Sequence, residues 1–291
     1  MGLFNGYLKP GPGVEKDAPK KKGIFLYFEI LGRKFTKLVQ LNMLHFLCSL
    51  PMILIYYLLF WPLCSSLTGW ITHADSSIPA EALTHWQFSL SLLFTTLATI
   101  FLGTGPASAA AAYIQRCFTR EEHAWIMSDF RDKLKENFKQ SLIIAIADII
   151  VLILSFVAIN FYYHQTVHTS QSIWLVLLFV IVLFLLVYIF AHSYIYQLMI
   201  TFENKTFATL KNAMLLSLST MPYNIVAAIV ITVLCYLVMS FINPIISLLL
   251  MFFLLIMFFR FPLEFHAARL IQKNILDKLC KEEKEDAESM E

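Results

Sequence analysis

Three side chains stand where plain packing does not call for them. Asp148 lies alone in the apolar stretch 142–156, His45 in the run 41–67 and His192 in the run 173–200. A charged Asp near the centre of a bilayer costs roughly 2.5–3.5 kcal/mol on insertion scales, so it must face protein or water. A carboxylate near imidazoles can hold a cation, share a proton or hydrogen-bond between helices. At a helix rise of ~1.5 Å per residue, all three fall ~6–15 Å from the same inner boundary, so a shared cluster is geometrically allowed. Interhelical hydrogen bonding that fixes packing is the plainer account. A ligand, ion or proton site is the sharper one.

The string GTGPASAAAA, residues 103–112, is the other distinctive feature. Pro106 suits the first turn of a new helix, with Thr104 or Gly105 before it as the cap. Gly103, Ala107 and Ala111 recur every four residues, as do Gly105 and Ala109, which lets another helix approach closely. The alternative is a broken helix whose N-terminus faces an anionic group. A phosphate-binding loop is excluded, because no Lys-Ser/Thr follows and no strand precedes. His164 and His168 are four apart, and His73, Asp75, Glu81 and His85 crowd another polar stretch. Such groups can share a metal, but short polar loops edged by Trp70, Trp86, Tyr162 and Tyr163 are read as interfacial rims. Arg260 and Glu264 are spaced as a helical pair, expected to anchor the inner end of the last span. No Ser/His/Asp order, HExxH or paired carboxylates within one span occurs, so no catalytic residue, metal or cofactor is expected.

The elements that carry these residues are membrane helices. The chain is 58% hydrophobic and 14% charged with a mean hydropathy of +0.69, too apolar for a soluble globular domain. Long continuous apolar runs exclude the alternating ~10-residue segments of a transmembrane barrel. The fold class is therefore an all-α integral membrane protein. Spans are expected at 41–67, 88–102, 138–161 and 173–200, with 223–261 divided at Asn243-Pro244 into two. The 22 Lys and Arg alternate with these runs: stretches 68–86 and 161–173 hold none. Basic residues collect in cytoplasmic loops, which places both termini inside and predicts six spans arranged as three hairpins. With a net charge of +2 already explained by topology, no nucleic acid partner is implied, whereas anionic lipid headgroups suit the membrane-adjacent cations.

Three amphipathic basic segments, 25–44, 130–146 and 207–218, each lead into an outward span and are expected to lie at the inner surface before turning into the bilayer. Thr119 and Glu122 have capping-box spacing. Cys48, Cys64, Cys117, Cys235 and Cys280 show no CxxC spacing and are read as packing residues without disulfide or metal. No apolar core precedes the Lys cluster of 1–22, so neither a cleavable signal peptide nor, with Gly6 at the sixth position, myristoylation is expected. The expected organisation is a basic N-terminal segment 1–37, one membrane domain 38–266 and a cytoplasmic tail 267–291. The tail begins amphipathic at Leu270, Ile271, Ile275 and Leu279 and ends in a solvated, disordered run from Lys281.

Residues 103–146, with the opening MGLFNGYLKPGPGV and the stretch RKFTKLVQLNMLHFLCSLP at 33–51, resemble the YesL-like family of uncharacterised bacterial membrane proteins. The later spans match that family in hydropathy alone. Members are often encoded beside carbohydrate ABC importers. The resemblance therefore implies a bacterial cytoplasmic-membrane protein connected with sugar uptake, and ABC importer permease subunits as partners. It supplies no catalytic residues. The expected function is a non-enzymatic accessory or regulatory component; the competing expectation is a small transporter or substrate-capture subunit using Asp148, His45 and His192.

Overall fold

The computed structural model describes residues 23–74, 79–169 and 171–278. The expectations for segment 1–22, for Asp75 and for residues 279–291, with Leu279 and Cys280, lie outside the described residues. Among those described, the chain is helical with no strand: α1 (Ile24–Ala74), α2 (Ala80–Phe101), α3 (Pro106–Thr119), α4 (Ile126–Glu136), α5 (Phe138–Thr169), α6 (Ser172–Met199), α7 (Thr206–Ser219), α8 (Met221–Phe241), α9 (Pro244–Leu250) and α10 (Ile256–Ile271). Five stretches are long and apolar enough to cross a membrane: Ile24–Ser66, α5, α6, α8 and Ile246–Leu276. Helices α2 and α3, bent by 57° at their break, make a sixth when taken as one span. Large aliphatic side chains such as Leu142, Ile146, Ile153 and Leu154 on α5 and Val226, Ile229 and Val233 on α8 are exposed. In water such a surface would collapse or aggregate; in hydrocarbon it costs nothing, so the molecule is built for a membrane.

Several boundaries differ from the sequence expectation. The stretch 161–173, expected as a loop, is helical up to Thr169 and again from Ser172. It contains no Gly or Pro, so nothing ends the backbone ladder where the apolar run stops. Helix α1 likewise passes without a turn through 25–44, and its two interior prolines, Pro51 and Pro62, do not end it. The first amphipathic segment is therefore the beginning of α1, not a separate surface helix. Gly32 alone interrupts its pattern, and one helical Gly costs only about 1 kcal/mol against Ala. The segment expected at 130–146 is divided at Asn137, its first part closing the short helix α4 and the rest opening the long apolar α5, whereas 207–218 lies within the separate short helix α7, which ends at Thr220 directly before α8. Thr119 caps nothing. It closes α3, its hydroxyl donating to the Gln115 carbonyl, while the start of α4 is tied by the Trp125 N–H donating to Asp129.

The split at Asn243-Pro244 falls between α8 and α9 as expected. A π turn, Met251–Leu255, then widens the helix before α10. Asn42 of α1 spans this irregularity: its amide donates to the Met251 carbonyl at 3.0 Å, and its oxygen accepts from the Met257 N–H at 2.8 Å. A buried side-chain amide thus satisfies backbone groups the wider turn leaves without helical partners. Helix α10 packs against α1, α2, α3, α6 and α8, and α3 against α1, α4, α5, α6 and α10. These two short helices form the centre of the molecule, and the polar residues converge on them.

Candidate functional site

The break between α2 and α3 is built by two glycines. Gly103 has φ +84° and Gly105 φ +69°, a left-handed region that side chains with a Cβ rarely adopt. A Cβ on Gly103 would come within 2.7 Å of Arg260 Nη1, and one on Gly105 within 2.9 Å of Ala145 Cβ. Of the two caps the sequence leaves open, Thr104 and Gly105, the structure uses Gly105, and Pro106 is the first residue of α3 as predicted. Ala107 and Ala111 are buried on the close-packed α3, with Ala110 and Ile114 in the same core. Breaking a helix strands backbone groups, which cannot go unpaired in a dry interior. Here side chains meet them. Tyr56 Oη donates to the Gly103 carbonyl at 2.9 Å, the Thr104 N–H donates to Ser108 Oγ at 2.8 Å, and the Gly105 N–H donates to Tyr196 Oη at 3.2 Å.

Two polar groups flank this break. In the first, Asp148 Oδ1 lies 2.7 Å from both Tyr188 Oη and His192 Nε2. His192 Nδ1 is 2.9 Å from the Tyr188 carbonyl, which only accepts, so Nδ1 carries a hydrogen. The 2.7 Å contact at Nε2 then requires one proton between His192 and Asp148, giving either a neutral acid–imidazole pair or an ion pair. Asp148 Oδ2 is buried without a hydrogen-bond partner.

In the second group Arg260 and Glu264 are paired, Nε to Oε1 at 2.9 Å. Their spacing is the predicted one, but their place is not: they are 1% and 0% exposed, in the core beneath the break instead of at the end of a span. Arg260 Nη1 also donates to Ser108 Oγ at 3.2 Å and to the Thr99 carbonyl at 3.4 Å, and the guanidinium lies 5.0 Å from the Tyr196 ring centroid. Gln197 Nε2 donates to Glu264 Oε2 at 2.6 Å and to the Ala112 carbonyl at 3.2 Å.

Of the three residues singled out by the sequence, the structure joins Asp148 to His192. His45 belongs to the other group. Its Nε2 is 3.1 Å from Thr104 Oγ1, 3.2 Å from Ser108 Oγ and 3.4 Å from Ser49 Oγ, while Nδ1 has no partner. Tyr196 lies between the groups: its hydroxyl faces Gly105, its ring faces Arg260, and the His192 ring centroid is 6.3 Å away. Sequence reasoning missed Tyr188, Tyr196 and Gln197. The first two had a signal, since Tyr188, His192 and Tyr196 recur every four residues and so share one face of α6.

His164 and His168 come together on α5, with ring centroids 4.0 Å apart on an exposed turn. Among the described residues no set of three His, Cys, Asp or Glu side chains is gathered closely enough to hold a metal ion. Chemically, the interior can hold a proton between Asp148 and His192 and a compensated charge pair at Arg260–Glu264.

No curated protein and no solved structure matches the chain. Residues 38–161 match the family described as "Protein of unknown function, DUF624". The matched stretch carries His45, the Gly103–Pro106 break and Asp148 and stops before His192, Arg260 and Glu264. The first half of the chain is thus similar to an uncharacterised protein family.

Proposed function

We propose that this is a non-enzymatic accessory or regulatory subunit of the bacterial cytoplasmic membrane, of the YesL-like kind, working with the permease subunits of a carbohydrate ABC-type importer. Its six spans form three hairpins with both termini inside. The observation that carries this reading is the sealing of the polar interior. His45, Asp148, His192, Arg260 and Glu264 are each at most 1% exposed, and their bonds run inward, to one another, to the side chains of Ser49, Thr104, Ser108, Tyr188 and Gln197, and to the Thr99 and Tyr188 carbonyls. Groups so arranged hold helices in register, since in lipid it is small-residue contacts and interhelical hydrogen bonds that hold them together. What remains for a partner is the periphery, where Trp125, Met127 and Phe207 stand exposed at the starts of the short helices α4 and α7. The importer comes from the family resemblance. Purification in a mild detergent followed by mass spectrometry should recover permease subunits in stoichiometric amounts. Recovery of the protein alone, from cells expressing the importer, defeats the proposal.

One observation favours a second reading, a small proton-coupled transporter or capture subunit. Asp148 Oδ2 has no hydrogen-bond partner although buried, and the Asp148–His192 contact holds one proton. Ligand binding by the purified protein, lost in Asp148→Asn with the fold intact, would establish it in place of the first.

A further inference from the structure

At one end of α1, α8 and α10 lies a cleft of about 510 Å³ whose lining includes Tyr27, Phe28, Tyr223, His266, Arg269 and Lys273. The last three recur at i, i+3 and i+7, so one face of α10 and the turn behind it brings three basic side chains to the same opening. Arg269 and Lys273 are exposed, and among the described residues neither has a carboxylate within ion-pair distance. His266 stacks on Tyr223 with centroids 3.8 Å apart, and its Nε2 is buried without a hydrogen-bond partner in the wall of the cleft. Ile24 and Phe28 leave apolar surface bare beside it.

We propose that this cleft binds an anionic phospholipid, its phosphate held by Arg269 and Lys273 and its chain lying over Phe28 and Ile24. Two unpaired cations over aromatic walls, at the end of membrane-crossing helices, complement a ligand that is anionic at one end and apolar at the other. The chain's own N-terminal segment is a poor occupant. Residues 1–22 hold five Lys against Glu15 and Asp17, a net +3 that the same cations repel. A free phosphate would use the cations but not the aromatic walls.

The test is thermal unfolding of the full-length protein in nanodiscs of phosphatidylcholine alone and of equal parts phosphatidylcholine and phosphatidylglycerol. A ligand that binds the folded state raises the midpoint, so phosphatidylglycerol should raise it in the native chain. The pair Arg269→Ala with Lys273→Ala should lose more than half of that increment, and Lys273→Glu should abolish it. Each variant is compared with itself in phosphatidylcholine, so a general loss of stability cancels; if the double variant does not fold, Lys273→Glu at its exposed position decides. An undiminished increment in the variants overturns the proposal. So does an equal increment from inorganic phosphate added to phosphatidylcholine discs, which would assign the cleft to a soluble anion.

Discussion

Substituting Arg260 by Met removes the cation that pairs with Glu264 in the core. Because both partners are essentially unexposed, the pair follows the rule for buried charges instead of that for surface bridges. Removing one partner of a buried pair costs about 3–5 kcal/mol, because the other charge is left in low dielectric. Glu264 keeps the Gln197 donor at 2.6 Å, which softens the loss, whereas the Ser108 and Thr99 contacts at 3.2 and 3.4 Å are long and add little. Arg260→Met should therefore destabilise by about 3 kcal/mol, near the lower end of that range. Glu264→Leu alone should do similar damage, leaving a guanidinium without its counter-charge. The double variant removes both charges, and Gln197 retains the Ala112 carbonyl as acceptor. Its cost should fall well below the sum of the singles, by about 2 kcal/mol or more, the size of coupling seen between residues in contact. Equilibrium unfolding of the four proteins in mixed detergent micelles measures the cycle. Singles that add to the double would mean that each charge is solvated separately, and the picture of a sealed polar centre would be wrong.

The remaining expectations concern the break, the Asp148 group and the topology. Ala107→Leu or Ala111→Leu should lower the unfolding midpoint and folded yield well beyond Ala80→Leu. The first two sites are buried on α3 and Ala80 is exposed, so overpacking, at about 1–3 kcal/mol, applies only to them; equal stability of all three refutes this. Asp148→Asn removes the shared proton, but its amide N–H can donate to His192 Nε2 while Nδ1 stays bonded to the Tyr188 carbonyl, so it should lose less stability than Asp148→Leu. Asp148→Leu strands the Tyr188 hydroxyl and His192 Nε2, at about 1–3 kcal/mol each in a dry interior, and should be the less stable of the two in the same assay. With the native cysteines replaced, Cys at 164 should be labelled from outside intact cells and Cys at 133 only after permeabilisation. The reverse pattern would invert the orientation inferred from the basic residues.

How far the sequence foretold this arrangement can be judged residue by residue. The apolar runs and the Asn243-Pro244 split were legible, because span length and helix breaking depend on local chemistry. So was the start of α3, since Gly105 followed by Pro106 is a local signal for a helix N-terminus. The extent of α1 was not legible: 51 residues of unbroken helix crossing two prolines reflect packing against α2, α3 and α10, which no window of sequence contains. Arg260 and Glu264 show the same division. Their four-residue spacing gave the pair. Their depth depends on Gly103, over 150 positions away, leaving room above the guanidinium, which is information about tertiary structure alone.

The polar residues gather at the broken helix because each solves the other's difficulty. Backbone groups freed at 103–105 need donors and acceptors inside a bundle whose outer surface is apolar, and Tyr56, Ser108 and Tyr196 supply them. Ser108 in turn gives buried Arg260 and His45 a partner, so polar helices are held against one another where hydrophobic burial gives no preference. Most of the centre is explained by this need for mutual satisfaction, which is why a packing role outweighs a transport role for His45, Arg260 and Glu264. Asp148 Oδ2, His45 Nδ1 and Gln197 Oε1 are buried without a hydrogen-bond partner, and of these the carboxylate oxygen alone belongs to an acidic group. Asp148 shares a proton with His192, which an amide cannot do, and the contrast between Asp148→Asn and Asp148→Leu therefore separates loss of that proton from loss of every polar partner.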